Sequence, residues 1–152
     1  MSDQFVPGRK TFTYLSTIFD TPVWQEIARR RDTNFNQGKQ EGDASAADLD
    51  HEATGYGLRT KELTFDYLYK RGTDAIFTAL EDSCDNDTVL YFLRLDDALG
   101  QSGAKGYKFP GIVAEFNETA ALSEGVVYSV TVKFARHEDS GSLVQGERHV
   151  EA

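Results

Sequence analysis

The stretch from residue 61 to residue 95 constrains the fold most, because it predicts a strand, a helix and a second strand with almost no linker. Apolar and polar side chains alternate from residue 62 to 70. Leu63, Phe65, Tyr67 and Tyr69 share one face, while Glu62, Thr64, Asp66 and Lys70 share the other, and only Leu68 breaks the pattern. A period of two with this aromatic content is typical of a half-buried strand.

A helix is predicted after this strand. Gly72 ends the strand, and Thr73 offers its hydroxyl as an N-cap with Asp74 in the first turn. The next apolar residues have helical spacing and form one stripe: Ile76, Phe77, Leu80 and Cys84. Residues 89–95 follow as an apolar run, which predicts a strand covered on both faces. A helix buried against a sheet is therefore the predicted core.

The same periodicity predicts further strands at 10–15, 32–39, 109–119 and 126–135. In 109–119, Ile112, Ala114 and Phe116 point one way, and Val113, Glu115 and Asn117 point the other. In 126–135, the apolar face carries Val126, Tyr128, Val130, Val132 and Phe134. The short connection between these two strands predicts an antiparallel hairpin.

Helix-start residues occur at 21–27, where Thr, Pro and an acid stand in order and predict one or two helical turns. Trp24 and Ile27 are expected to pack inward from these turns. The side chains predicted to build the core are Trp24, Phe65, Ile76, Leu80, Phe116 and Val130.

Three segments lack periodicity. Residues 40–57 contain Glu41, Asp43, Asp48, Asp50 and Glu52 without any Lys or Arg, and we interpret them as a long projecting loop. The glycine-rich 96–108 segment is predicted to be a flexible connection. The polar tail at 137–152 is expected to be frayed, or to become ordered only against a partner.

Length and composition bound the architecture. A chain of 152 residues predicts one domain over 1–152 that folds without disulfides. Cys84 is the sole cysteine, which excludes an internal disulfide and fits a reducing compartment. We expect neither a secretory signal nor a membrane-spanning helix, because the first residues lack a basic segment followed by an apolar core and no apolar run approaches about 20 residues. The net charge of -9 argues against a protein that grips nucleic acid through its phosphates.

Catalytic, metal and cofactor sites are not predicted. His51, His137 and His149 fall in the predicted loop and tail, where no triad could be held rigidly. The acidic stretch at 48–52 lacks the spacing of a calcium loop, so a solvated loop tip is the better interpretation. We therefore expect no enzyme activity and no cofactor.

The order of these features resembles the tail tube (major tail) proteins of tailed bacteriophages and of related phage-derived injection machines. The resemblance covers about residues 10–138. It rests on PVWQEI at 22–27 leading to Arg31 and Asp32, GYGL at 55–58, ELTFDY at 62–67, the predicted helix, VLYFL at 89–93, FPGIVAEF at 109–116 and LSEGVVYSVTVK at 122–133.

The resemblance implies a mainly β fold with one helix (α+β), an antiparallel β-sandwich or barrel-like pair of sheets with a flanking α-helix. It also implies hexameric rings that stack into a tube in the virion tail, assembled in the host bacterial cytoplasm, through which double-stranded DNA passes. Expected partners are further copies of the chain and other tail proteins: a tape measure, a terminator, and a baseplate or sheath.

This plan assigns roles to two groups of side chains. The lumen-facing candidates, taken from the polar strand faces, are Glu62, Thr64, Asp66, Glu115 and Asn117. The alternative for this face is that it packs on a neighbouring subunit or lies on the outside of the tail. The candidates for contacts between rings or subunits are Arg29, Arg30, Arg31, Glu41, Asp43, Asp48, Asp50 and Glu52.

Alternatives stay open at this point. A tube protein of a secretion or injection system, or a tail terminator, would share most of these features. A soluble β-sandwich module that binds a sugar or peptide belongs to a different class and would need an aromatic-lined pocket. The exposed strand faces here carry Glu, Thr, Asp, Ser and Lys instead, which counts against that module.

Overall fold

The computed structural model describes residues 11–43, 54–72, 74–120, 125–139, 141–144 and 146–151. Within these residues the chain forms ten strands and one helix. Their bounds are β1 (Phe12–Ser16), β2 (Gln25–Glu26), β3 (Arg30–Asp43), β4 (Thr54–Leu68), α1 (Ala75–Asn86), β5 (Leu90–Leu95), β6 (Lys105–Ala120), β7 (Val126–Phe134), β8 (Glu138–Asp139), β9 (Ser142–Leu143) and β10 (Glu147–Val150).

Eight of these strands form one antiparallel sheet in the order β2-β1-β5-β6-β7-β4-β3, with β10 added to β6. The predicted class, mainly β with a single helix, is confirmed. No helix in the described part of the chain is long and apolar enough to cross a membrane.

Strand β6 connects the two halves of the sheet. Its residues 106–111 pair with β5, and its residues 111–120 pair with β7. The inner faces of the two halves lie against each other, since the Phe35 ring on β3 is 5.8 Å from the Phe109 ring on β6. This sandwich-like arrangement places the core between the halves, with α1 packed against it.

The main core contains residues from both halves and from the helix. Phe65, Leu80 and Val130 are at most 2% exposed. Its buried members are Leu15, Ile27, Leu63, Phe65, Tyr67, Leu80, Leu90, Phe92, Phe109, Val113, Val130 and Val132. Ile76 and Phe116 are partly buried and pack against this cluster. The Phe77 ring on the helix lies 5.5 Å from Phe116 on the sheet.

Strand β5 is covered on both faces, as its apolar run predicted. Leu90 and Phe92 belong to the main core, whereas Leu93 and Leu95 pack with Tyr14 in a second cluster on the opposite face. Trp24 is partly buried in that second cluster. The predicted core residues therefore divide between two clusters rather than meeting in one.

The predicted alternation in β6 is wrong at one point, because a register shift between Val113 and Glu115 places an extra residue in the strand. Val113 is consequently buried beside Val132, whereas Ala114 is exposed. The backbone N–H of Val113 donates to the hydroxyl of Ser83 on α1 at 3.0 Å. The helix therefore satisfies a buried donor at the irregular point of the strand.

The helix begins one residue later than predicted. Asp74, not Thr73, is the N-cap, and its carboxylate accepts from the backbone N–H groups of Ile76 and Phe77 at 3.1 and 3.2 Å. Thr73 lies outside the described residues. Asp87, in the left-handed conformation with φ 55°, ends the helix.

The helical turns predicted at 21–27 are absent, although the cap chemistry favoured them. Residues 25–26 form β2 and pair with Tyr14 and Leu15 of β1. The Ile27 N–H donates to the Thr13 carbonyl, and Ile27 is fully buried. Pairing with β1 and burial of Ile27 outweigh the local preference, which is worth only tenths of a kcal/mol per residue by a rough count.

The long loop predicted at 40–57 is shorter than expected. Strand β3 continues to Asp43 and β4 begins at Thr54, with Asp43 opposite Thr54 in the register. Strand β4 pairs with β7 only over 62–68, so the outer part of the β3–β4 hairpin is a two-stranded ribbon that extends beyond the sheet. Residues 44–53 lie outside the described residues.

The 96–108 segment and the tail also differ from expectation, because β6 begins at Lys105 and β10 pairs with it over 105–108. The Glu147 carboxylate lies 3.0 Å from the Lys108 ammonium. The Glu151 N–H donates to the Ala104 carbonyl at 2.8 Å. Sequence-distant backbone pairing thus orders a tail that has few apolar residues of its own.

Candidate functional site: a polar sheet face and an open strand edge

All five lumen-facing candidates lie on one face of the half-sheet β6-β7-β4-β3. One row across the strands carries Glu115, Thr131, Thr64 and Asn34. The next row carries Asn117, Ser129, Asp66 and Arg31. Glu62 lies between Lys133 and Asn36 in a third row. We call this set of residues the polar face.

The polar face follows from alternation. Phe65, Val130 and Phe116 also form a row across β4, β7 and β6, and they belong to the core cluster or pack against it. Because successive side chains of a strand point to opposite sides, the neighbours of this apolar row must point away from the core. Glu115 and Asn117 are exposed, while Glu62, Thr64 and Asp66 are half-buried.

Positive and negative side chains are more nearly equal in number on the polar face than in the chain as a whole, whose net charge is -9. Its three rows carry the carboxylates of Glu62, Asp66 and Glu115 together with the cations of Lys133 and Arg31. The other members of these rows are uncharged hydroxyl and amide side chains, apart from Ile112. This surface is hydrophilic without a large excess of either charge.

Strand β3 is the edge strand of the sheet, and it carries one margin of the polar face. It pairs with β4 along Arg30–Asp43, and no other described strand pairs with it. An unpaired edge presents alternating backbone N–H and C=O groups that a strand of another chain can pair with. A 14-residue edge is long for a free monomer.

The arginine triplet predicted for subunit contacts is partly used within the chain. Arg29 pairs with Asp74 at 3.0 Å. Arg30 donates to the carbonyls of Ile27 and Thr11, and it also lies 3.6 Å from the Glu26 carboxylate. Arg31 is half-buried in the polar face, opposite Asp66. The three side chains therefore have three different environments.

Asp74 connects the helix to the sheet, a role that sequence reasoning missed. Besides capping the helix, its carboxylate accepts from the Tyr67 hydroxyl at 2.5 Å and from Arg29. Burial, followed by the hydrogen bond to Asp74, raises the pKa of Tyr67 above its ordinary value. The sequence signal was an acid directly before a helical stripe, but nothing local indicated its two distant partners.

The acidic candidates divide between described and undescribed parts of the chain. Glu41 and Asp43 lie in β3, near the end of the ribbon. Asp48, Asp50 and Glu52 lie outside the described residues. Of the described positions, Glu41 and Asp43 stand at the opposite end of β3 from Arg30 and Arg31.

A cleft of about 550 Å³ lies beside the arginine triplet. Phe12 is the one aromatic residue in its walls, which are otherwise formed by Thr11, Glu26, Ala28, Arg30, Arg31, Asp32 and Thr33. This lining does not resemble the aromatic pocket that a sugar- or peptide-binding module would need. In the described ranges, no three His, Cys, Asp or Glu side chains group closely enough to hold a metal ion.

No protein-family model and no curated protein sequence matches this chain. Its structure is similar to three kinds of solved assembly. The SPP1 tail tube gives a TM-score of 0.74 at 15% identity, covering 96% of this chain and 80% of that one.

The tail of a gene transfer agent particle with C6 symmetry gives 0.68 at 14% identity, covering 96% of this chain and 98% of that one. The six-fold symmetrised anti-feeding prophage baseplate gives 0.58 at 7% identity, covering 99% and 98%. With the sheet order, the flanking helix and these matches together, the chain has the fold of phage tail tube proteins.

Proposed function

We propose that this protein is a structural subunit of a virion tail tube. Six copies form a ring, rings stack into a tube, and double-stranded DNA passes through the channel without any catalytic step. The observation that carries the proposal is the match of 96% of the chain to a tail tube and to a C6-symmetric tail.

The polar face supports a channel wall in this assembly. It contains Glu62, Thr64, Asp66, Glu115 and Asn117, and its opposite side is fixed in the core. An antiparallel half-sheet with one core face and one hydrophilic face can line water. Its balanced charge gives DNA phosphates no continuous cationic surface to bind.

Ring closure uses the open edge of β3 in this proposal. Pairing of that edge with a strand of the neighbouring copy satisfies its free backbone groups and joins the polar faces into a continuous wall. The ribbon of β3 and β4, with Glu41, Asp43 and the acids at 48–52, then makes contacts between rings. Arg29 and Arg30 support the base of β3 from within the subunit.

The remaining partners follow from the same assignment. A tail tube meets a tape measure inside, a terminator at one end, and a baseplate or sheath elsewhere. The proposed location is the virion tail, with assembly in the host bacterial cytoplasm. The acidic chain, at -9, keeps free subunits soluble before they assemble.

Electron microscopy of the purified protein tests the proposal. We expect negative-stain images to show rings or hollow rods, with six-fold end views. A protein that stays monomeric by light scattering at all concentrations, and shows no rods, would refute the tube assignment.

A second candidate is the tube of a phage-derived injection machine, favoured by the 99% coverage in the match to the anti-feeding prophage baseplate. The nucleic acid content of assembled particles separates the two functions. Particles isolated with their tails contain packaged DNA if the first proposal holds. Nuclease-treated particles that lack DNA but still deliver protein favour the second.

A further inference from the structure

A cleft of about 530 Å³ opens where strand β7 ends beside β4. The pairing of β4 with β7 stops at Glu62 and Lys133, and no described strand continues on that side of β4 at residues 59–61. The backbone groups along this short edge are therefore available to a ligand. We call this cleft the notch, and its walls are formed by Asn36, Gln37, Gly38, Arg59, Thr60, Lys61, Glu62, Lys133 and Phe134.

The notch concentrates positive charge on a chain that is acidic overall. Its walls hold the three cations Arg59, Lys61 and Lys133 against one carboxylate, that of Glu62, which gives the lining a formal charge of +2. Within the described ranges, no carboxylate forms an ion pair with any of these three cations. The Lys61 ammonium instead donates to the uncharged amide oxygen of Gln37 at 2.8 Å.

Lys61 shows what this arrangement costs. Burial, and then the charges of Arg59, Arg148 and Lys39, lower the pKa of its ammonium. The same ammonium lies 4.9 Å from the centre of the Tyr107 ring, and the guanidinium carbon of Arg148 lies 5.9 Å from that centre. An anion bound at this place offsets the repulsion between the cations, because a nearby opposite charge favours the charged form of each.

Gly38 keeps the space around the Thr60 hydroxyl open. The two residues are opposite each other in the β3–β4 register, and a Cβ at Gly38 would lie 2.9 Å from Thr60 Oγ1. A larger residue would therefore push this hydroxyl out of its position. Thr60 is exposed, so its hydroxyl can donate to a ligand in the notch. The glycine thus preserves a neutral donor beside the cations.

We infer that the notch is a binding site for a phosphate group. A phosphate group presents three acceptor oxygens and close to two negative charges, which matches a lining of formal charge +2 with donors on several sides. Arginine binds phosphate through paired N–H groups, and lysine binds it as a point charge. A carboxylate has only two oxygens in one plane, so it would leave donors of the notch without partners.

The backbone of DNA and the free phosphate ion share this chemistry. The notch adjoins the polar face, since Lys133 and Asn36 flank Glu62 in its third row. In the proposed tube, DNA that passes along this face meets one local site per subunit rather than a continuous cationic surface. Free phosphate reaches the notch of a single subunit. Binding of phosphate needs no tube, so it holds or fails independently of the proposed function.

Titration of the full-length protein with inorganic phosphate tests the site, with sodium chloride at equal ionic strength as the reference. We expect saturable binding and a rise in melting temperature, because a ligand of the folded state stabilises it. Arg59→Gln with Lys61→Gln should weaken this binding about tenfold or more, because two charge-assisted hydrogen bonds are lost. The matched control is Arg71→Gln, which neutralises an exposed cation outside the notch and should bind phosphate like the wild type.

Neutral variants separate a built site from general electrostatic attraction. Gly38→Ala displaces the Thr60 hydroxyl without changing any charge, and Thr60→Val removes it. Each should weaken phosphate binding about threefold, the effect of one hydrogen bond. The glutamine variant removes like charges, so it should melt no lower than the wild type. If it does not fold, Thr60→Val carries the test.

A short DNA duplex, titrated at two salt concentrations, identifies the source of the phosphate. Duplex binding that weakens with salt and is lost in the glutamine variant assigns the notch to the DNA backbone. Binding of inorganic phosphate alone assigns it to the free ion, and either result supports the inference.

Three results would overturn the inference. The first is the absence of phosphate binding by the wild type. The second is phosphate binding that stays unchanged in the glutamine variant, or in both Gly38→Ala and Thr60→Val. The third is tighter binding of polyglutamate than of either phosphate probe, which would make the notch a contact for an acidic protein surface. Rings or rods in micrographs of the same protein would keep the proposed function standing in all three cases.

Discussion

Asp74 is the side chain whose removal should show most directly how the helix is attached to the sheet. Its carboxylate caps α1 through Ile76 and Phe77, accepts from the buried Tyr67 hydroxyl, and pairs with Arg29. Only 12% of the Asp74 side chain is exposed. The Asp74→Ala substitution removes all of these contacts at once.

The expected loss follows from three contributions. An N-cap is worth about 1 kcal/mol, and a buried hydroxyl left without its acceptor costs about 1–3 kcal/mol. The ion pair adds less than about 1 kcal/mol, because 39% of the Arg29 side chain is exposed to solvent. Since one carboxylate provides all three, the contributions overlap, and we expect a loss of about 2–4 kcal/mol in the free energy of unfolding.

Equilibrium unfolding of the monomer in urea measures this loss. Asp74→Asn is the matched control, because its amide oxygen in the Oδ1 position still accepts from the Ile76 and Phe77 N–H groups, whereas its NH2 group in the Oδ2 position cannot accept from Tyr67 or Arg29. It should keep the cap and therefore lose about 1 kcal/mol less than Asp74→Ala. In a double-mutant cycle with Tyr67→Phe, the coupling energy should be about 1 kcal/mol. A loss below about 0.5 kcal/mol for Asp74→Ala, the usual scatter of surface substitutions, would show that the described contacts do not hold the helix.

Three further predictions concern other parts of the molecule. Burial and Asp74 raise the pKa of Tyr67 above its ordinary value of 10.0. The free energy of unfolding that this group contributes is therefore fully present below pH 10 and declines as the pH rises beyond it, because the unfolded chain ionises first. Tyr67→Phe should flatten that decline in urea melts at alkaline pH. A Cβ at Gly106 would lie 1.5 Å from the Arg94 carbonyl oxygen, so Gly106→Ala should cost about 3 kcal/mol or more, whereas Gly125→Ala, with nothing within 4 Å, should change the melting temperature little. Lysine at Glu62, Asp66 and Glu115 together should leave ring formation largely intact but slow genome release, most strongly at low salt; unchanged release from assembled particles at two ionic strengths would place these residues outside the channel.

The central strands and the helix could be predicted from sequence because their patterns are local. Alternation at 62–70 and 126–135 identifies β4 and β7, and the stripe from Ile76 to Cys84 identifies α1. The segments at 21–27 and 147–150 could not be predicted. Their strand structure depends on pairing with β1 and β6, which lie far away in the chain. Pairing with distant strands determined the secondary structure of these residues, whereas their local preference did not.

The candidate site was likewise predictable only where it depends on a local pattern. Alternation assigned Glu62, Thr64 and Asp66 to the side away from the core, but it could not show that Glu115 and Asn117 share their face, because that depends on the register of β4, β7 and β6.

Strand β6 has a consequence for how the subunit opens. It is hydrogen-bonded to β5 and β10 in its first part and to β7 in its second, and Ser83 of the helix binds its irregular point. Neither half of the sheet can separate without disturbing the strand that both halves share. The β6 amides that are hydrogen-bonded to these neighbouring strands should therefore exchange with solvent hydrogen mainly in the global unfolding event. The subunit would then join or leave a tube as one cooperative unit, with local opening confined to its ends and to the ribbon.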